Sequence, residues 1–240
     1  MMPQPAPEKN ETPDNPPQPL PIAVLISGNG SNLHAIIKAI QNQTLPARIC
    51  VVISNNPHAP GLHVAQQAGI PTRILDHQAY ADRAAFDAAL QDTLDSFNPE
   101  LVVLAGFMRI LGTAFVTHYE GRMLNIHPSL LPAFTGLHTH QQALDKGVTE
   151  HGASIHFVTH ALDGGPVILQ ARVPILPHDN IKTLAQRVLK VEHDIYPLAI
   201  RWFAEGRLRF AQGKIMLDGM PLSQPVDYKH THHVQPPPPS

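Results

Sequence analysis

Along the first half of the chain, short apolar runs alternate with polar breaks and with apolar residues at helical spacing. Ile22-Ala23-Val24-Leu25-Ile26 is continuously apolar, as in a strand covered on both faces. After Ser27 and a glycine-rich break, Leu33, Ile36, Ile37 and Ile40 share one face of a helix. The pattern predicts a second strand over Arg48 to Ser54, a helix over Ala59 to Gly69 and a short strand over Thr72 to Leu75. Tyr80 to Phe97 reads as an amphipathic helix with Phe86, Leu90, Leu94 and Phe97 inward, and Leu101 to Ala105 as another buried strand. Strands that alternate with helices in this way predict a doubly wound, mostly parallel, Rossmann-like α/β sheet flanked by helices.

The second half changes character. Met123 to His127 reads as a strand that places Asn125 and His127 on one face, and Pro128 ends it because proline has no N–H for a ladder. A helix is expected from about His138 to Lys146. Gly152 to Val158 alternates, with Ile155 and Phe157 on one side and Ser154 and His156 on the other, which predicts an antiparallel portion toward the C-terminus. Val167 to Val173 is expected to return as a strand, followed by a long helix over Ile181 to Glu205 and a small hairpin turning at Asp218-Gly219.

With 240 residues and 43% hydrophobic content, the chain can bury a core, and residues 22–219 read as one domain. Residues 1–21 and the Pro/His-rich residues 220–240 read as tails too poor in apolar residues to pack, and His230-Thr231-His232-His233 lacks a second ligand cluster, so no metal site is expected. The net charge of -2 argues against nucleic acid, and the absence of a signal-like or membrane-length apolar segment argues for the cytoplasm. The single cysteine, Cys50, lies in an apolar run and reads as a buried structural thiol. Small molecules are the expected partners, and the sequence is compatible with a monomer or a homodimer.

Three stretches carry candidate chemistry. Gly28-Asn29-Gly30-Ser31-Asn32 sits between a strand and a helix, where glycines and free N–H groups suit a phosphate; both the dinucleotide fingerprint and the phosphate loop of nucleotide hydrolases fail here. A tight turn with Ser or Asn capping the helix is the plainer alternative. Gly106 to Leu111 follows a strand and displays apolar side chains, which suits a flat aromatic ligand; a buried helix start is its alternative. Asn125, His127 and Asp163 supply a neutral donor, a titratable acid and a carboxylate that favours the protonated imidazole. Such a set can hold an oxyanion during acyl transfer to an amine. Ser129 lacks the glycine-flanked elbow of a nucleophilic serine.

Val24 to Leu33, Leu104 to Leu111, Leu124 to Pro132 and Leu162 to Ile168 together resemble the 10-formyltetrahydrofolate-dependent formyltransferase family, in its bacterial glycinamide ribonucleotide branch. The match runs from about Ile22 to Gly219. The resemblance implies formyl transfer from 10-formyltetrahydrofolate, as cosubstrate, to glycinamide ribonucleotide in purine biosynthesis, with Asn125, His127 and Asp163 catalytic. It assigns Gly30, Ser31, Asn32 and Glu192 to the ribonucleotide. It assigns Arg83, Met108, Arg109, Ile110, Leu111, Asn125, Thr159, His160, Ala161, Leu162 and Asp163 to the folate, with His156 lining the site. The chain departs from the family pattern at Ala133-Phe134-Thr135-Gly136, where the family usually carries Lys-Tyr-Pro-Gly or a similar loop, and at Leu189-Lys190-Val191. A formyltetrahydrofolate hydrolase, a methionyl-tRNA formyltransferase and a nonenzymatic folate sensor are the competing readings.

Overall fold

The computed structural model describes residues 18–228, Gln212 excepted. The run Val234 to Pro239, the His230 to His233 cluster and residues 1–17 lie outside the described residues. In chain order the elements are β1 (Leu20–Ile26), α1 (Ser31–Gln41), β2 (Ala47–Ser54), α2 (Gly61–Gln67), β3 (Thr72–Ile74), α3 (Arg83–Asp95), β4 (Leu101–Leu104), α4 (Thr113–His118), β5 (Met123–His127), α5 (Thr139–Asp145), β6 (Glu150–Phe157), β7 (Val167–Pro174), α6 (Ile181–Ala204), β8 (Leu208–Ala211), β9 (Lys214–Leu217), β10 (Met220–Pro221) and β11 (Val226–Asp227). Eight strands form one sheet in the order β11-β7-β6-β5-β4-β1-β2-β3.

Strands β1 to β5 are mutually parallel, as the βα rhythm requires, and β6 runs antiparallel to both β5 and β7. Strand alternation divides the apolar runs between the two sheet faces: Ile22, Val24 and Ile26 pack into the core under α1, α2 and α6, while Ala23 and Leu25 pack with Phe86, Leu90 and Phe115 from α3 and α4. A run without polar alternation is therefore what both-face coverage demands. Each fully buried Ile or Leu in it contributes about 1.5–3 kcal/mol relative to exposure. The strand order reverses between β1 and β4, so a crevice opens at the carboxyl ends of these strands, where ligands bind in open α/β sheets.

Three expected boundaries move. Leu20 and Pro21, assigned to a tail by composition, open β1 and pair with Ala47 and Arg48. The helix expected from Tyr80 starts at Arg83, because the Asp82 side chain caps it by accepting the Ala85 N–H at 2.9 Å. The domain also continues past Gly219. The turn at Asp218-Gly219 does join β9 to β10, but β8 joins them in a three-stranded sheet, and the chain then returns to lay β11 beside β7. Leu222, Val226 and Tyr228 pack on the core, so residues 220–228 are part of the domain. Two paired residues are too short a strand for periodicity to reveal.

Candidate active site

The glycine loop closes β1 and starts α1 without any side-chain cap: Gly30 is the N-cap, at φ 74. The capping alternative therefore fails, and the first N–H groups of α1 are not taken by a side chain. Gly30 is required twice over. Its φ lies in the left-handed region, and a Cβ there would sit 2.7 Å from the Gly61 Cα at the start of α2. Gly61 N–H donates to the Gly28 carbonyl at 3.0 Å, which fixes the loop against α2. Asn32 and Glu192, from α1 and α6, are both buried, and Asn32 Nδ2 donates to Glu192 Oε2 at 2.8 Å. Burial raises the Glu192 carboxyl above its usual range, and the Asn32 bond opposes that rise. Asn32 Oδ1 has no hydrogen-bond partner.

The antiparallel pairing of β5 with β6 sets the candidate groups by register, with Asn125 opposite His156 and His127 opposite Ser154. His156 Nδ1 lies 2.9 Å from the Phe157 carbonyl, and its Nε2 lies 3.1 Å from Asn125 Nδ2. The ring is therefore assigned as the Nδ1–H tautomer, accepting from the Asn125 amide. Burial holds its pKa below the usual histidine range, so this neutral form persists. The amide nitrogen of Asn125 is thereby turned to a fixed side with one hydrogen still free.

His127 is 6% exposed. Its Nε2 donates to the Phe134 carbonyl at 2.9 Å, and its Nδ1 faces Asp163 Oδ1 at 3.5 Å. The other carboxylate oxygen, Asp163 Oδ2, accepts the Gly136 N–H at 2.8 Å. The segment after β5 thus holds both partners through backbone groups. Asp163 has a φ of 49, which brings its side chain back over the strand end. Gly165 allows that loop to lie on β6, since a Cβ there would meet the Phe157 oxygen at 1.8 Å. Ser129 is fully buried and donates to the Ala133 carbonyl at 2.6 Å, which removes it from nucleophilic chemistry.

A cavity beside Asn125, His156 and Asp163 is lined by Leu104, Phe107, Arg109, Ile110, Leu111, Val116, Val158, Thr159, His160, Ala161 and Leu162. It gathers nearly all the residues expected to hold the folate. Two stand apart: Met108 is 68% exposed, and Arg83 is an exposed residue opening α3, neither lining the cavity. The loop is not a buried helix start, because Ile110 is 56% exposed and α4 begins only at Thr113. Ser27 Oγ accepts the Met108 N–H at 2.8 Å and Asp87 Oδ2 accepts the Gly112 N–H at 2.7 Å. Between these anchors, the backbone N–H and C=O groups of Arg109, Ile110 and Leu111 make no hydrogen bond among the described residues. A larger cavity between Pro166, Lys214, Leu222 and Pro225 holds none of the expected groups.

Sequence reasoning missed the pair formed by His140 and His151, whose Nδ1 and Nε2 atoms lie 3.1 Å apart next to Phe134. Burial pushes His151 down to about 4 and lowers His140 as well. It also missed Ser154, which donates to the Ser129 carbonyl and accepts from Leu131 N–H and Gln170, fixing the segment that holds His127. Only the histidine-rich stretch from 138 to 156 hinted at either. Among the described residues, no group of His, Cys, Asp and Glu is arranged to hold a metal, and no helix is long and apolar enough to cross a membrane.

The formyl transferase family model matches residues 20–200. The chain therefore belongs to the formyl transferase family. Phosphoribosylglycinamide formyltransferase of Escherichia coli (strain K12) is 55% identical over 201 residues, covering 84% of this chain and 95% of that protein. The structure of phosphoribosylglycinamide formyltransferase from Coxiella burnetii, in complex with CHES, superposes with a TM-score of 0.84 at 55% identity, over 88% of this chain and 99% of that one. The human trifunctional purine biosynthetic protein adenosine-3 is 47% identical over 195 residues, which is 81% of this chain and 19% of that protein. Within the family, the chain falls among the phosphoribosylglycinamide formyltransferases.

Proposed function

We infer that this protein transfers the formyl group of 10-formyltetrahydrofolate to the amine of 5'-phosphoribosylglycinamide, giving formylglycinamide ribonucleotide and tetrahydrofolate in purine biosynthesis. One observation carries the reading: Asn125 and Asp163 line a cavity walled by a loop with unbonded backbone groups, and His127 lies against Asp163. The glycine loop opens at the same carboxyl edge of the sheet.

The folate's pterin ring lies against residues 109 to 111 and the loop from Thr159 to Asp163, reading the free backbone groups of the former. The ribonucleotide's phosphate sits on the N–H groups of Gly30, Ser31 and Asn32, where the helix start favours an anion. Glu192, buried and turned toward that site, accepts from a hydroxyl or the amine of the substrate. The amine nitrogen then attacks the formyl carbon, forming a C–N bond and placing negative charge on the formyl oxygen. Asn125 Nδ2 donates to that oxygen, and the positive charge of protonated His127, whose two ring nitrogens face Phe134 and Asp163, stabilises it through space. Asp163 keeps the imidazolium in place and orders a water that carries the proton from the attacking nitrogen to N10 of the folate, whose bond to the formyl carbon then breaks. Oxidation states do not change and no metal is needed. The same reading makes this a cytoplasmic enzyme of small molecules, acting as a monomer or homodimer without nucleic acid or membrane partners.

The test is to incubate purified protein with 10-formyltetrahydrofolate, with and without the ribonucleotide, and to follow tetrahydrofolate and formylated amine. Stoichiometric formation of both, only when the amine is present, is the expected result. Release of tetrahydrofolate and formate without amine would indicate a hydrolase, and no turnover a binding protein.

A further inference from the structure

The residues that line the cavity do not explain how its loop is held. Residues 109 to 111 have no backbone hydrogen bonds, so their geometry is set by the two anchors at their ends. The first anchor is Ser27, whose hydroxyl accepts Met108 N–H and whose own N–H donates to Gly106 at 3.2 Å. The second is Asp87 on α3, outside the cavity and only 7% exposed. Two further observations single out Asp87. Its Oδ1 is buried with no hydrogen-bond partner, and so is the Nε of Arg109, the loop residue whose guanidinium lies 6.0 Å from the ring of neighbouring Phe86. A side chain at Gly112 would push the Asp87 carboxylate aside, since a Cβ there would sit 2.8 Å from Asp87 Oδ2. A buried acceptor and a buried cationic donor are thus each left without a hydrogen-bond partner, which is expensive, and the two charges act on one another through space rather than as a direct ion pair.

We propose that Asp87 is the positioning residue of the folate loop: its carboxylate fixes the end of the loop through Gly112 N–H, and its charge holds Arg109 against the cavity wall. The proposal rests on the folate reading given above. It assigns to a residue that touches no substrate the task of keeping three backbone units at a fixed distance from a flat ring. A carboxylate suits this better than a neutral acceptor, because it serves an N–H with one oxygen and draws a guanidinium with the other. Arg83, one turn earlier on α3, and Arg109 are the charged groups that face it. Burial pushes the Asp87 carboxyl up from its ordinary range, against the Gly112 bond and the two arginines.

Asp87→Asn keeps an acceptor for Gly112 and removes the charge, Asp87→Ala removes both, and Gly112→Ala displaces the anchor from the other side. Steady-state kinetics on the full chain should show KM for 10-formyltetrahydrofolate raised by several-fold in Asp87→Asn and by about ten- to a hundredfold in the other two. KM for the ribonucleotide should stay within about twofold, since uniform binding is lost for one substrate only. In wild type the folate KM should climb as pH falls through the titration of Asp87, and in Asp87→Asn that climb should be absent. A purely structural Asp87 would instead raise both KM values together or lower kcat alone, with the acid limb unchanged in Asp87→Asn; that result overturns the proposal. Failure of wild type to bind tetrahydrofolate in calorimetry would overturn the folate reading, and this inference with it.

Discussion

Replacing Asp163 by Asn tests the proposed catalytic pair of His127 and Asp163 most directly, because the structure dictates how the amide must sit. Gly136 N–H needs an acceptor at 2.8 Å, so the amide oxygen takes that place and the NH2 group turns toward His127 Nδ1. The imidazole can meet an NH2 only with an unprotonated Nδ1, and its Nε2–H already donates to Phe134. The variant therefore keeps the shape of the site and locks His127 neutral. Asparagine also tolerates the φ of 49 at this position, so the loop should fold as before. With 3.5 Å between Nδ1 and Oδ1 and an effective dielectric of about 20, the full charges of the transition state attract by about 5 kcal/mol. Desolvation offsets part of this, which leaves about 3–4 kcal/mol, or roughly a 10²- to 10³-fold fall in kcat. Both KM values should change little, because the interaction is made in the transition state. Single-turnover formyl transfer at saturating substrates measures the effect. His127→Ala and the double variant complete the cycle, and the double loss should barely exceed the larger single loss. Losses that multiply, or a kcat within about threefold of wild type in Asp163→Asn, would refute the pairing.

Three other outcomes are expected. Ser31→Asp puts a carboxylate at the start of α1, which suits the helix but repels a phosphate; KM for the ribonucleotide should rise by about ten- to a hundredfold while the melting temperature holds or increases. Since His151 is held at about 4 rather than 6.5, the unfolded chain binds a proton that the native chain refuses between those values; stability should therefore rise with pH across this window, with about 3 kcal/mol lost on acidification, and His151→Phe should flatten that limb in urea titrations. Ending the chain at Gly219 removes β11 and the packing of Leu222, Val226 and Tyr228, which should cost about 3 kcal/mol and lower Tm by roughly 6–12 °C in calorimetry; an unchanged Tm would restore the shorter domain.

The parallel half of the sheet was legible because both-face burial leaves continuous apolar runs such as Ile22 to Ile26, and helical spacing fills the gaps. The reversal at β6 was legible from the alternation of Ser154 and His156 with Ile155 and Phe157. Strand β11 was not, because Val226-Asp227 gains its order from β7 rather than from its own composition. Among the site residues, those that act through side chains in recognisable strings could be read. Arg83 and Met108 were expected at the folate only by resemblance; both are exposed and neither lines the cavity. Asn32 and Glu192 are 160 positions apart, and only the packing of α1 on α6 makes them partners. Asp87 reads as one more polar position on a helix, and only the fold shows that it faces inward.

The segment Ala133-Phe134-Thr135-Gly136 is where this chain departs from the loop its relatives were expected to carry, and it lies directly against His127 and Asp163. What those residues take from it is the Phe134 carbonyl and the Gly136 N–H. Every amino acid offers the first and every one but proline the second, so the proposed catalytic pair takes nothing from the side chains of this stretch and depends on its path. That path has its own demand, a φ of 54 at Phe134 and 76 at Gly136. Side-chain identity at Ala133 and Thr135, both exposed, is thus free to drift or to be chosen for engineering, whereas a shift of the backbone by about an ångström would separate His127 from Asp163 without altering either residue.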